Sequence, residues 1–160
     1  MLKLSNENCN QKKNEKEKDD QDWRWQLRHT LRTKQDLEKI LRLSDNEIAA
    51  IEKLKGHLPL GITPYYANLI DPRDPNCPIR KMMIPLQDEF QHQYAESSDP
   101  LGEEPFLHAD CVVHRYPDRV LFLVTGRCAT YCRYCTRSRI VGQPEKFQTL
   151  KKQWIAGLEY

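Results

Sequence analysis

The spacing of apolar and polar residues changes character along the chain. Residues Asn6 to Gln21 are almost wholly polar and contain the charge run Lys12 to Asp20. Such a stretch cannot bury enough apolar surface to order itself, so residues 1–21 are expected to be a disordered polar tail. Apolar positions begin at Trp23, Trp25, Leu27 and Leu31, and the two tryptophans are expected to anchor a core. Leu37, Ile40 and Leu41, then Ile48, Ile51 and Leu54, recur at helical spacing. Each set follows a start signal, Thr33 with Asp36 and Ser44 with Glu47, a capping side chain with an acid three residues later. Gly56 stands where the second helix would stop. Two short helices that pack through these stripes are expected.

From Leu58 to Pro85 prolines 59, 64, 72, 75, 78 and 85 forbid long helices and central strands. An extended, turn-rich wrap is predicted, with consecutive turns over Asp71-Pro-Arg-Asp-Pro75 and an extended segment from Pro78 to Pro85. Asp99-Pro-Leu-Gly-Glu-Glu-Pro105 reads as a second loop of that kind. Arg119 to Thr125 encloses five consecutive apolar residues, the pattern of a strand buried on both faces in a parallel sheet. Phe147, Leu150, Trp154, Ile155 and Leu158 then fall on a helical period between Pro144 and Leu158. Strand, loop and helix in this order make the first unit of a β/α barrel, in which active sites sit at the carboxyl ends of the strands.

The predicted fold class is therefore α/β. A helical and extended, proline-rich amino-terminal region over 22–110 is followed, over 111–160, by the start of a partial TIM-type barrel. A whole barrel takes about 250 residues.

Composition narrows the possible partners. The chain has 160 residues, 39% hydrophobic and 30% charged, with a net charge of +2. A near-neutral chain without a basic patch gives no reason to expect nucleic acid. No run of about 18 apolar residues is present to span a membrane, and the first residues lack the apolar core of a signal peptide. A cytoplasmic protein is expected, and in a reducing compartment six cysteines argue for metal or catalysis rather than cross-links. Cys9, Cys77 and Cys111 are expected to be ordinary thiols.

The remaining three are Cys128, Cys132 and Cys135, a CxxxCxxC spacing with Tyr134 before the last. A 4Fe-4S cluster is normally closed by four thiolates, and three leave one iron open for chemistry. Zinc would need a fourth ligand such as His108, His114 or Cys111, because structural zinc sites usually show a second ligand pair. An electron-transfer ferredoxin would show a CxxCxxC run and a fourth cysteine.

The cysteine loop, with its aromatic residue, resembles that of the radical S-adenosyl-L-methionine (SAM) enzymes. Together with Ile62-Thr-Pro-Tyr-Tyr66, Asp71-Pro-Arg-Asp-Pro75, Pro78-Ile-Arg80 and His114-Arg-Tyr-Pro-Asp-Arg-Val120, it resembles the amino-terminal part of the lysine 2,3-aminomutase family. The resemblance implies an isomerase that uses a 4Fe-4S cluster, SAM and pyridoxal 5'-phosphate (PLP) to move an amino group between adjacent carbons of an amino acid. By the same resemblance Cys128, Cys132 and Cys135 hold the cluster and Tyr134 lies against the SAM adenine. Arg115 and Arg119 lie near the PLP phosphate, and Arg137 pairs with the substrate carboxylate. Without the resemblance, Arg115 and Arg119 read as surface arginines. Arg133 and Arg139 are expected to be structural or solvent-facing. The resemblance further implies that the chain is an incomplete enzyme, homo-oligomeric when full length, with later barrel strands and the PLP lysine lacking a counterpart. A metal-binding module without catalysis, and a radical-SAM enzyme without PLP, are the alternatives.

Overall fold

The computed structural model describes residues 21–55, 57–91, 97–109, 111–143 and 151–160. Residues 1–20 of the expected tail, Cys9 among them, Gly56 and the beginning of the Pro144–Leu158 helix lie outside these residues. Helix α1 spans Trp23–Arg28, with the Asp22 carboxylate accepting from the Arg24 amide at 2.9 Å as its cap. A helix of this length has one narrow inward face, and Gln26 occupies it, accepting from the Tyr65 amide at 2.8 Å. Trp23 is therefore not the core anchor expected. It is 60% exposed, beside the Arg24 guanidinium. Trp25 is half-buried and stacks on His29.

Helices α2, Lys34–Glu38, and α3, Asp45–Glu52, begin at the two expected capping boxes. Thr33 and Asp36 exchange amide-to-side-chain bonds at 3.1 and 3.2 Å, and Ser44 and Glu47 do so at 3.3 and 2.7 Å. Leu37 and Leu41 are buried, as the stripe predicts, but Ile40 is exposed. Helix α2 ends at Glu38, and in the turn beyond it Leu41, whose amide donates to the Leu37 carbonyl at 2.8 Å, faces the core while Ile40 does not.

The proline-rich stretch supports the short helices α4, Pro64–Asn68, and α5, Pro78–Met83, each with proline in its first turn. The extended Pro78–Pro85 segment expected from the prolines is thus corrected. Proline lacks a donor that the first turn does not need, and its fixed φ suits that position. The turns at Asp71 and Asp74 form as predicted, each carboxylate accepting at 2.8 Å from the amide two residues on.

Leu37, Leu41, Leu60, Ile62, Ile70, Met83 and Ile84 close over one another into the core of this region. Each large side chain buried there contributes roughly 1.5–3 kcal/mol. Across its edge the Arg80 guanidinium meets both oxygens of Glu47 at 2.8 Å and donates to the Arg42 carbonyl at 2.8 Å. Both residues are buried, so α3 and α5 are joined by an ion pair shielded from water. Burial pushes the Glu47 carboxyl up, but the bonds from Arg80 and Ser44 outweigh it and hold the group below its ordinary value.

Strands β1, Leu107–Ala109, β2, Val112–Tyr116, and β3, Arg119–Phe122, form one antiparallel sheet in that order. Here the expected parallel strand, buried on both faces, is overturned. β3 pairs with its sequence neighbour β2 through a tight turn at Pro117 and Asp118, with Val113 opposite Leu121. Proline cannot take the positive φ of the favoured hairpin turns, and the ladder slips between Val113 and Tyr116. Val120, Leu121 and Val124 are 45%, 37% and 48% exposed. A strand of this composition needs cover on both faces, and the described residues cover it incompletely.

Helix α6, Lys151–Glu159, supplies part of that cover. Trp154 donates to the Val124 carbonyl, and Gly157 comes so close that a Cβ there would stand 2.7 Å from Phe122 and 3.0 Å from the Cys111 sulfur. Strand, loop and helix thus occur in the expected order and pack together, but no barrel is formed by the described residues. Among them no helix is long and apolar enough to cross a membrane.

A docked three-cysteine loop as candidate site

The loop bearing Cys128, Cys132 and Cys135 is positioned by the amino-terminal region rather than by β3 alone. Gly61 to Thr63 is extended and pairs on two sides. Ile62 exchanges amide bonds with Leu31 at 2.8 and 3.1 Å. On the other side Tyr131 donates to the Gly61 carbonyl at 2.7 Å, and Thr63 donates to the Ala129 carbonyl at 3.1 Å. The sequence explains the close approach, because Tyr131 is 5% exposed and its ring fills the space of two absent side chains. A Cβ on either Gly61 or Gly142 would lie 2.5 Å from that ring, and Gly142 also has φ +70°. Gly142 donates to the Gly126 carbonyl at 3.2 Å, drawing the ends of the loop together.

Arg133 adds a second attachment, its amide donating to the Met82 carbonyl at 2.7 Å. Its guanidinium pairs with Glu89 at 2.7 Å and donates to the Leu58 carbonyl at 3.0 Å. The side chain is almost wholly covered, which makes it structural, one of the two roles expected.

Cys128 is exposed, and Cys132 and Cys135 are half-buried, all three as thiols outside any disulfide. Burial pushes the Cys135 thiol up, and the nearby Cys132 and Cys128 push it further against a backbone bond from Arg137 that lowers it. In donor type and order the three cysteines fit a three-thiolate cluster. Among the described residues, however, no three His, Cys, Asp or Glu side chains converge tightly enough to hold a metal ion. Cys77 and Cys111 are buried apart from the loop.

Tyr134, the expected adenine neighbour, is 75% exposed, its ring free to stack on a flat ligand. Arg137 stands against Glu103, with Nη2 to Oε1 at 2.6 Å and Nε to Oε2 at 3.3 Å. Arg139 joins the same carboxylate at 3.3 Å and reaches Asp99 at 2.9 Å and Glu104 at 3.6 Å. The acidic loop 99–104 and the arginines after Cys135 thus interlock. Arg115 and Arg119 have separate partners. Arg115 donates to the Leu101 carbonyl and lies over Phe106, whereas Arg119 pairs with Asp118 and lies over Tyr116.

Sequence reasoning passed over Gly61, Tyr131, Glu89 and Glu103. For Glu103 a signal existed, since an acidic loop and an arginine-rich loop in one chain are natural partners.

No protein-family model matches the chain. Known proteins do. A Bacillus subtilis protein named L-lysine 2,3-aminomutase is 47% identical over 139 residues, covering 87% of this chain and 29% of its own. The Clostridium subterminale protein of the same name is 42% identical over 131 residues, 82% of this chain and 32% of its own. A Clostridioides difficile glutamate 2,3-aminomutase is 38% identical over 133 residues, 83% of this chain and 31% of its own. The chain spans about a third of the length of these relatives.

Proposed function

Over 139 of its residues this chain matches the amino-terminal part of the lysine 2,3-aminomutase family, and from that premise we propose that it carries the cluster loop of a radical-SAM aminomutase. The reaction is migration of an amino group between carbons 2 and 3 of an amino acid, with L-lysine to β-lysine as the first choice. The observation that carries this reading is the three-thiol loop, fixed on the amino-terminal core through Gly61, Tyr131 and Arg133.

Cys128, Cys132 and Cys135 would hold a 4Fe-4S cluster with one iron open. The cluster, SAM and PLP supply, when bound, one-electron chemistry and an amine carrier that side chains lack. The chain's own residues bind and orient. Tyr134 offers an aromatic face to the adenine. Arg115 and Arg119 offer cationic donors to the PLP phosphate, and Arg137 offers a guanidinium to the substrate carboxylate. The chain spans about a third of its relatives' length, and the reading includes that further sequence is needed to complete the walls of the site. The chain alone, given SAM, PLP, reductant and L-lysine, is accordingly expected to show no aminomutase activity.

Anaerobic reconstitution with iron and sulfide tests the proposal. About one 4Fe-4S cluster per chain is expected, read by iron and sulfide analysis and visible absorption, and Cys132→Ala should abolish it. Stoichiometric zinc without iron–sulfur absorption would instead point to a metal-binding module.

A further inference from the structure

Glu103 lies outside the cysteine loop, before β1 in the sequence, yet Arg137 pairs with it. We propose that Glu103 is a positioning residue, holding Arg137 by one edge so that the other edge is presented to the carboxylate of an amino-acid substrate. The inference rests on the reading of Arg137 as the carboxylate partner and adds to it the group that sets the direction of the guanidinium.

A guanidinium has two edges that can each meet a carboxylate with parallel bonds, the side edge of Nε and Nη2 and the end edge of Nη1 and Nη2. Glu103 takes the side edge, at 3.3 Å from Nε and 2.6 Å from Nη2. Among the described residues Nη1 makes no hydrogen bond, and the Arg137 side chain keeps 35% of its surface exposed. The end edge therefore remains open while the side edge is occupied.

Glu103 can act as an anchor because it is itself fixed. Its side chain is only 8% exposed, and its Oε2 accepts from Arg139 at 3.3 Å. Arg139 in turn forms an ion pair with Asp99 at 2.9 Å, and the Asp99 carboxylate accepts from the Glu104 amide at 2.8 Å. Charge is arranged to match. The covered part of this group is two arginines against Asp99 and Glu103, while Glu104 is mostly in water. An arginine on a flexible stem loses rotamer freedom whenever it binds, and one already fixed by a buried carboxylate has less to lose. Glu103 thus selects for ligands with a carboxylate by orientation, although its own charge opposes theirs.

The test uses the cofactor-loaded holoenzyme carrying this sequence, with L-lysine and 1,5-diaminopentane, its counterpart without the carboxylate, as probes. Equilibrium binding of each is measured by calorimetry in the parent, Glu103→Gln and Arg137→Lys, with cluster absorbance as the check on folding. Glu103→Gln keeps the size of the side chain but turns amide hydrogens toward the guanidinium. The expected result is that the preference for L-lysine over the diamine falls by about tenfold or more in both variants, while diamine binding stays within about twofold. In turnover, KM for L-lysine should rise more than kcat falls.

If Arg137→Lys loses the preference and Glu103→Gln keeps or increases it, the positioning role is wrong and the role of Arg137 stands. If neither variant changes it, the carboxylate reading of Arg137 fails, and the inference with it. Should Glu103→Gln lose cluster absorbance, Glu103→Asp supplies the same readout. A retained preference there, with the shorter carboxylate unable to reach the side edge, counts against the role.

Discussion

The two ends of the chain solve the burial problem differently. In the amino-terminal region Leu37 and Ile62 are fully buried and Met83 and Ile84 are 1% exposed, with the Arg80–Glu47 pair closed from water beside them. Around the β-sheet, residues of the same chemistry remain in solvent, including Leu121, Val124, Ile155 and Leu158. The cysteine loop belongs mechanically to the first of these. It follows β3 in sequence, but residues 129–133 attach to Gly61, Thr63, Met82, Leu58 and Glu89, and past Cys135 Arg137 and Arg139 pair with the 99–104 loop. A site can therefore be assembled on a finished core while the described residues leave the sheet that leads into it partly uncovered. If that contrast is right, substitutions in the core should disturb the loop, and substitutions on the sheet face should not.

The largest effect is expected from Arg80→Met. Removing one partner of a buried ion pair leaves Glu47 charged and poorly compensated, a loss of about 3–5 kcal/mol. Urea unfolding should show it, and Glu47→Gln in the same chain should recover part of the loss by removing the stranded charge. Because α5 also supplies the carbonyl that Arg133 holds, Cys132 and Cys135 should become more reactive toward an alkylating reagent in the variant. Unchanged alkylation rates alongside lowered stability would separate the loop from the core and break the comparison.

The parts of this arrangement that could be read from sequence are those governed by neighbouring residues. Both capping boxes and the turns at Asp71 and Asp74 depend on residues two or three apart, and such local chemistry leaves a local signature. The cysteines' spacing is likewise visible in the sequence, and it is what makes them a candidate ligand set. Trp23 and the Val120–Val124 run misled for a shared reason. Hydrophobicity records what a residue gains from cover, but the cover is supplied by distant chain. Pro78 misled differently, because the residue that interrupts a helix also starts one. The contacts of Glu103 with Arg137 and of Tyr131 with Gly61 join positions far apart in sequence, and nothing in either segment by itself announces them.

A smaller effect, confined to the amino-terminal core, is expected at Asp36. Hydrogen bonds from the Thr33 hydroxyl, first, and from the Arg32 amide and Lys39 hold its pKa at about 2, below the usual carboxylate value. A carboxyl whose folded-state pKa is depressed stabilises the fold fully above its unfolded pKa, and that contribution is lost as pH falls toward about 2. Acid should therefore loosen α2 in that window, seen as faster amide exchange over Lys34–Glu38. Asp36→Asn should remove this pH dependence and cost about 1 kcal/mol at neutral pH, the usual loss for a capping interaction. The same acid sensitivity in the Asn variant would assign the loosening to another carboxylate.

The smallest effect on stability, and the sharpest test of the contrast, is expected on the sheet. β3 is the outer strand of three, with β2 on one side, and among the described residues its other edge is unpaired. An edge of this kind is a template for another chain, and the exposed Val120, Leu121 and Val124 add an apolar incentive to pair. The chain alone should consequently associate as its concentration rises. A lysine at position 120 places a charge on that edge, so Val120→Lys should shift sedimentation toward the monomer. Its effect on urea stability should stay within about 0.5 kcal/mol, as for surface changes generally. Cysteine alkylation should also be unaltered, because the loop takes its position from the other region. Val112, fully buried in the same sheet, provides the control: lysine there would bury an unpaired charge and should destabilise the chain strongly. A parent chain that is monomeric at every concentration would mean that the exposed apolar face does not drive association, and the view of the sheet as uncovered surface would have to be given up.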